Sequence, residues 1–228
     1  MASRDSPTRT DPVSDNRSEY DYQGNAVEDP SLRDDLAERI DGEVRFDEYS
    51  REMYATDASA YEVTPIGVVF PTSTADVSAV VEYCADHKIP VLPRGGGTSL
   101  AGQTVNEAVV LDFTQEMGTI LEVDPDERRA RVQPGTILAE LNETVKPHGL
   151  KFAPDPSTAN RSAIGGAIGN NTTGAHSLKY GKTDAYVEEL EVVLADGAVT
   201  TLGEVSISEV RDRADPEGSL EQRLHAAV

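Results

Sequence analysis

Tryptophan is absent from this 228-residue chain, and cysteine occurs once, as Cys84. One thiol excludes an internal disulfide, a zinc site built on several thiolates and an iron–sulfur cluster. Cys84 falls on the apolar stripe Val77, Val80, Val81, Cys84 of a predicted helix, which gives it the part of a small buried hydrophobe. Lysine is scarce too: five lysines and fifteen arginines stand against 41 acidic residues, for a formal net charge of -21. Such a surface repels phosphate polymers and anionic membrane faces, which excludes nucleic acid as a partner. It also suggests a salt-rich, halophilic cytoplasm, where screening makes dense negative charge tolerable. No apolar run reaches membrane-spanning length, and the N-terminus lacks the hydrophobic segment of a signal peptide. Residues 1–28 therefore read as a disordered acidic tail, and the protein as cytoplasmic.

What is present reads as an α+β domain of two lobes, about 29–115 and about 116–210, followed by a polar segment over 211–228. In the first lobe a short helix is expected over Leu32–Ile40, capped by Ser31. Ile66 to Phe70 is a compact apolar strand ended by Pro71. Ser73 with Asp76 fits a capping pair for the helix that follows, and Ile89 to Leu92 is the next strand, completing a β-α-β unit with parallel strands. Ala108 to Phe113 adds another strand. The second lobe has a more antiparallel character. Thr119–Val123 and Ala130–Val132 flank a turn at Asp124–Glu127, Thr136 is placed to cap a helix carrying Ile137, Leu138, Leu141 and Val145, and Val187–Leu194 with Ala198–Leu202 form a hairpin around Asp196-Gly197.

Two loops carry the chemistry. Pro93-Arg94-Gly95-Gly96-Gly97-Thr98-Ser99-Leu100-Ala101-Gly102 directly follows a strand. Its glycines free the backbone for positive φ and close approach to a ligand, so that successive N–H groups form a concavity for an anion such as a diphosphate. Thr98 and Ser99 add hydroxyl donors; Arg94 adds charge or a structural ion pair. The second loop, Pro154 to Gly174, contains Asp155, Ser157, Ser162, Gly165, Gly166 and Asn170. Ser162 is placed to cap a short helix, and the abundance of Asn and Thr suits a polar heterocycle and a ribityl chain better than a metal. Neither loop is a Rossmann fingerprint, because Leu100 stands where the third glycine belongs. Nor is Gly169–Gly174 a P-loop, because Ala175-His176 replaces Lys-Ser/Thr.

Taken together, Pro93–Gly102 and Pro154–Tyr180 resemble the two FAD-binding segments of the vanillyl-alcohol oxidase and para-cresol methylhydroxylase type flavoproteins. Within that group the likeness is to the D-lactate, glycolate and D-2-hydroxyglutarate dehydrogenases. Tyr54–Ser59, Phe70-Pro71 and His176–Thr183 add to it, and the resemblance spans about Asp35 to Gly203. It implies a para-cresol methylhydroxylase type fold with FAD as cofactor. Gly95, Gly96, Gly97, Thr98 and Ser99, with Arg94 and Gly102, would hold the pyrophosphate; Pro154, Asp155, Ser157, Gly165, Gly166 and Asn170 would lie along the flavin and ribityl chain. Gly174 would allow close approach, and Val187 would meet the adenine end. No histidine lies between Pro93 and Gly102, so the flavin is expected to be non-covalent.

The same resemblance implies oxidation of a small D-2-hydroxy acid, with a cap domain supplying the substrate-binding residues. No such cap is expected before Val228, so a missing segment or a partner chain would have to provide it. Catalytic residues and the electron acceptor are not identifiable from these residues, and no metal site is expected. His176 reads as structural or flavin-adjacent, and His87, His148 and His225 as helix-end or surface residues without metal-ligand spacing. A non-catalytic FAD module stands as the second reading, and an unrelated protein whose glycine loops are turns as the third.

Overall fold

The computed structural model describes residues 30–227, so the expected N-terminal tail lies outside the described residues. Three short strands rich in valine build the centre: β2 (Gly67–Phe70), β3 (Val91–Arg94) and β4 (Val109–Asp112). β4 lies between β2 and β3 and is parallel to both, while β1 (Glu43–Arg45) closes the edge antiparallel to β2. All residues of β2 and β4 are buried, as parallel strands covered on both faces must be. One face packs Val69, Val109 and Leu111 against α1 (Pro30–Ala37) and α3 (Thr74–Asp86) through Leu32, Leu36, Val77, Val80 and Cys84. The other face gathers Val68, Phe70 and Val110 with Tyr54 and Leu92. Tyr54 follows α2 (Glu48–Met53), which Asp47 caps.

The expected caps divide. Ser73 accepts from Asp76 N at 3.2 Å as anticipated. Asp76 also anchors the chain around it: its carboxylate accepts from Thr72 N and Oγ1 and from Asp41 N. Burial alone would raise the Asp76 pKa, but the hydrogen bonds from Thr72, Asp41 and Gly42 outweigh it and hold it below the ordinary carboxylate value. Ser31, in contrast, lies inside α1, which begins one residue earlier at Pro30. Proline is suited to a first helical turn because its missing N–H would have had no intrahelical partner there.

Two hairpins follow, β5 (Ile120–Asp124) with β6 (Arg129–Val132), and β7 (Glu189–Val193) with β8 (Val199–Gly203). Arg129 and Arg131 reach Glu188 and Glu189 across them at 2.7 and 2.6 Å. A second core forms where α4 (Leu138–Val145) and α5 (Ile164–Gly169) meet: Leu138, Leu141, Val145, Ile164 and Ala167, flanked by Ile120, Val123 and Val132. Thr136 does not cap α4; its Oγ1 donates to Thr119 O at 3.2 Å and ties the helix start to β5. A short α6 (Ser177–Tyr180) closes the second loop. The polar C-terminal segment is helical: α7 (Ile207–Arg213) and α8 (Leu220–Ala226) each carry a complete capping box, Ser206/Glu209 and Ser219/Gln222.

Candidate cofactor site

β3 ends at Arg94, and the three glycines begin at the carboxyl edge of the parallel sheet. The Arg94 side chain folds back onto backbone. Its Nη1 donates to Tyr54 O at 3.1 Å and Thr104 O at 3.0 Å, its Nη2 to Thr56 O at 2.8 Å, and the guanidinium lies over the Tyr54 ring. Burial depresses its pKa while Tyr54 and Asp112 oppose the shift. Tyr54 donates to Asp112 at 2.6 Å, and burial together with that bond keeps its phenol protonated well above the ordinary value. Sequence reasoning left Arg94 between a phosphate contact and a structural pair; three carbonyls now claim it, so it braces the loop from beneath.

The glycines do not all serve one purpose. Gly97 and Gly102 adopt left-handed backbone, φ 62° and 74°. A Cβ on Gly96 would lie 1.8 Å from the Arg161 carbonyl oxygen, and one on Gly95 would lie 2.9 Å from Ala163 Cβ. Both are bare because the second loop packs against the first. At these two positions the missing side chain makes room for the second loop. Hydroxyls and amides complete the joint: Thr98 Oγ1 meets Ser162 Oγ at 3.1 Å, Gln103 Nε2 donates to Asn170 Oδ1 at 2.7 Å, and Ser99 Oγ donates to Gln103. Ser162 also meets Thr158 at 2.7 Å, so it cannot be the expected helix cap; Ala163 holds that position without a side-chain bond.

Helix α5 shows where space has been kept open. Ile164 and Ala167 bury one face. On the other, a Cβ at Gly166 or Gly169 would meet nothing within 4 Å, and neither residue has positive φ. Neither packing nor backbone geometry demands glycine there, yet each costs a helix about 0.5–1 kcal/mol relative to alanine. A bare, one-turn surface beside the joined loops suits a flat ligand laid against the backbone. Gly169 was weighed only as part of a P-loop and not among the residues expected to hold the cofactor, and its i, i+3 spacing from Gly166 was the available signal. Gly165 is different, since its Cβ would lie 2.9 Å from Pro134; so is Gly174, 2.2 Å from the Asp155 carbonyl.

The start of the second loop is wedged by buried Pro154. Asp155, Ser157, Asn160, Thr173 and Gly174 line an open cavity of about 710 Å³. Asp155 accepts from Lys151 Nζ at 3.0 Å and lies 3.2 Å from His176 Nδ1. The hydrogen bond and charge of Lys151, with a smaller pull from His176, hold its carboxyl below the usual range despite some burial. Val187 ends a 3-10 turn and is half-buried before β7. Among the described residues, no cluster of three or more His, Cys, Asp or Glu side chains could hold a metal.

A family model described as an FAD binding domain matches residues 65–203, a stretch holding both loops and the glycine face. The chain belongs to that family. It is 37% identical over 186 residues to D-2-hydroxyglutarate dehydrogenase of Haemophilus influenzae, covering 80% of this chain and 18% of that protein. To the glycolate oxidase subunit GlcD of Bacillus subtilis it is 38% identical, over 72% of this chain and 36% of the relative. To D-lactate dehydrogenase of Archaeoglobus fulgidus it is 43% identical, over 60% and 30%. The chain thus spans about a fifth to a third of the length of these relatives. Among solved structures, 6-hydroxy-D-nicotine oxidase of Arthrobacter nicotinovorans superposes with a TM-score of 0.63 at 26% identity, over 72% of this chain and 36% of the other. The resemblance drawn from the two loops is the family found, and its cofactor is FAD. The residues fit that group: a bare glycine face on α5 beside a glycine loop whose backbone can approach a ligand closely, and a second loop rich in uncharged polar side chains.

Proposed function

We propose that this chain is the FAD-binding part of an oxidoreductase that takes a hydride from the carbinol carbon of a D-2-hydroxy acid. The bare Gly166–Gly169 face carries the reading, within a domain shared with proteins named for 2-hydroxyglutarate, glycolate and lactate. Amides of Gly95–Ser99 and the Thr98 hydroxyl hold the diphosphate, with Gly102 turning the loop back. Arg94 acts through the carbonyls it grips. The heterocycle and ribityl chain lie along Gly165, Gly166, Gly169 and Asn170, toward Pro154, Asp155 and Ser157. Gly174 keeps the loop limbs close, and Val187 faces the adenine end. FAD, once bound, supplies a two-electron acceptor at N5. No histidine in residues 93–102 offers a covalent link, so the flavin is held non-covalently.

The two lobes meet near residue 115, and the substrate-gripping residues come from a cap domain or a partner chain beyond them. Flavin uptake followed by anaerobic mixing with D-2-hydroxyglutarate, D-lactate or glycolate tests the reading, using the chain together with its cap-bearing segment or partner. Bleaching of the flavin's visible absorbance is expected with one of these acids. Full flavin loading with no bleaching by any of them would leave the non-catalytic FAD module. The acidic, lysine-poor surface fits a cytoplasm of high salt. Thermal stability should then rise between dilute and molar KCl; a flat profile would refute that part.

A further inference from the structure

We infer that the small cavity bounded by Lys151, His176 and Tyr180 binds one small oxyanion, a carboxylate or a phosphate group. The inference stands apart from the FAD reading, because no residue of the first glycine loop lines this cavity. Charge runs against the rest of the molecule here. Along residues 151–182 the sequence holds four cations, Lys151, Arg161, Lys179 and Lys182, and one carboxylate, Asp155, in a chain where acids outnumber bases two to one. Of these cations Lys151 lines the recess and Lys179 lies over the Tyr180 ring that bounds it. Three of the five lysines fall in this segment. A strongly acidic surface rejects anions generally, so a basic recess within it focuses them at one place.

The recess has a volume of about 290 Å³, room for a small organic acid, and Ala153 supplies its apolar wall. Its donors are held in place. Asp155 Oδ2 takes one proton of the Lys151 ammonium at 3.0 Å, which leaves two N–H groups to offer a ligand. The same oxygen lies 3.2 Å from His176 Nδ1, which turns Nε2 away from Asp155. The His176 ring meets Tyr180 edge to face at 6.4 Å, and Lys179 Nζ lies 4.9 Å over the Tyr180 ring. Tyr186 fixes that wall by donating to Tyr180 O at 2.6 Å while its ring packs against Phe152. Asp155 cancels one positive charge, so the recess is matched to a single oxyanion. Lys151 and His176 are about half exposed, so salt screens both donors and binding should weaken as KCl rises.

The test is a titration of the FAD-free protein with potassium succinate, followed through the histidine ring signals by 1H–13C NMR. His176→Gln identifies the His176 signal, and KCl at matched ionic strength is the reference. A saturable shift of that signal with succinate, and with inorganic phosphate, is expected over a flat KCl response. Lys151→Met should raise the half-saturation concentration at least tenfold, Lys151→Arg should restore it, and Lys146→Met, whose ammonium pairs with Glu143 and does not line the recess, should change nothing. Repeating the titration with FAD-loaded protein distinguishes the sources. If FAD itself moves the signal and abolishes the succinate response, the oxyanion is the nucleotide's phosphate; if the response survives, it is a free small molecule. A shift that KCl reproduces, that never saturates, or that keeps the parent's half-saturation concentration in a folded Lys151→Met variant overturns the inference.

Discussion

Gly166 and Gly96 look alike in the sequence, yet replacing them should produce opposite effects on stability. Gly166 lies in α5 with open space where its Cβ would be. Gly166→Ala should therefore stabilise the FAD-free protein by up to about 1 kcal/mol, the helix-propensity difference. For a domain of this size that is a rise of about 2–4 °C in Tm. Gly166→Leu should keep most of that gain while extending four carbons over the bare face. If the cofactor lies there, its dissociation constant should rise at least tenfold, a loss of about 1.4 kcal/mol. Gly96→Ala instead drives a methyl group to 1.8 Å from a backbone carbonyl held by the second loop, so stability and flavin uptake should fall together. Circular dichroism melts of the FAD-free variants, paired with quenching of flavin fluorescence on titration, separate the two cases. A Gly166→Leu protein that melts at or above the parent temperature and still binds FAD with unchanged affinity would refute the placement of the cofactor on this face.

Three further outcomes are expected. Arg94→Met leaves three carbonyls around Tyr54, Thr56 and Thr104 without their charged donor, and should cost about 2–3 kcal/mol in urea denaturation; a loss under about 0.5 kcal/mol would show the carbonyls are satisfied by water. Asp76 has a folded pKa below its unfolded one, so its contribution is present above the unfolded value and fades as pH falls through the folded one. Asp76→Asn should lower stability at neutral pH and flatten the acid limb of the Tm profile, and parallel profiles for variant and parent would contradict this. Burial pushes the Cys84 thiol up to about 12, so it should resist Ellman's reagent at pH 8 until the protein is unfolded; prompt labelling of native protein would place it elsewhere.

Much of the scaffold was legible because its signals are local. Continuous apolar runs marked β2 and β4, the Ser73–Asp76 pair marked the start of α3, and Asp196-Gly197 marked the last hairpin. The position of β4 between β2 and β3 was not legible, since strand order depends on which strand the crossover passes and leaves no trace in the residues of β4 itself. Thr136 and Ser162 were misassigned for one shared reason, that a hydroxyl near a helix start competes between the helix amides and any nearer tertiary partner, whereas Ser31 failed because α1 starts one residue earlier. The helices α7 and α8 were in fact signalled, by Ser-x-x-Glu and Ser-x-x-Gln, but each stretch is too polar for an apolar face to draw notice. Both loops fall within the stretch that the family model matches. What their glycines are for was not readable, because a bare position facing another loop and one facing a ligand are the same letter.

The contact of Gly96 with Arg161 has a consequence for how the seat comes into being. One loop is held by the parallel sheet and the other by the α4–α5 core, and they lock through Gly95–Ala163, Thr98–Ser162 and Gln103–Asn170, some 65 residues apart along the chain. The seat is therefore a property of a junction and of neither half alone. If the cofactor sits at this junction, loosening of either half, by heat or by a substitution in the α4–α5 core such as Leu138, whose amide donates to Ser162 O at 3.0 Å, should weaken its binding before that half has unfolded. Bound flavin would thus serve as a built-in gauge of whether the two halves are registered on each other.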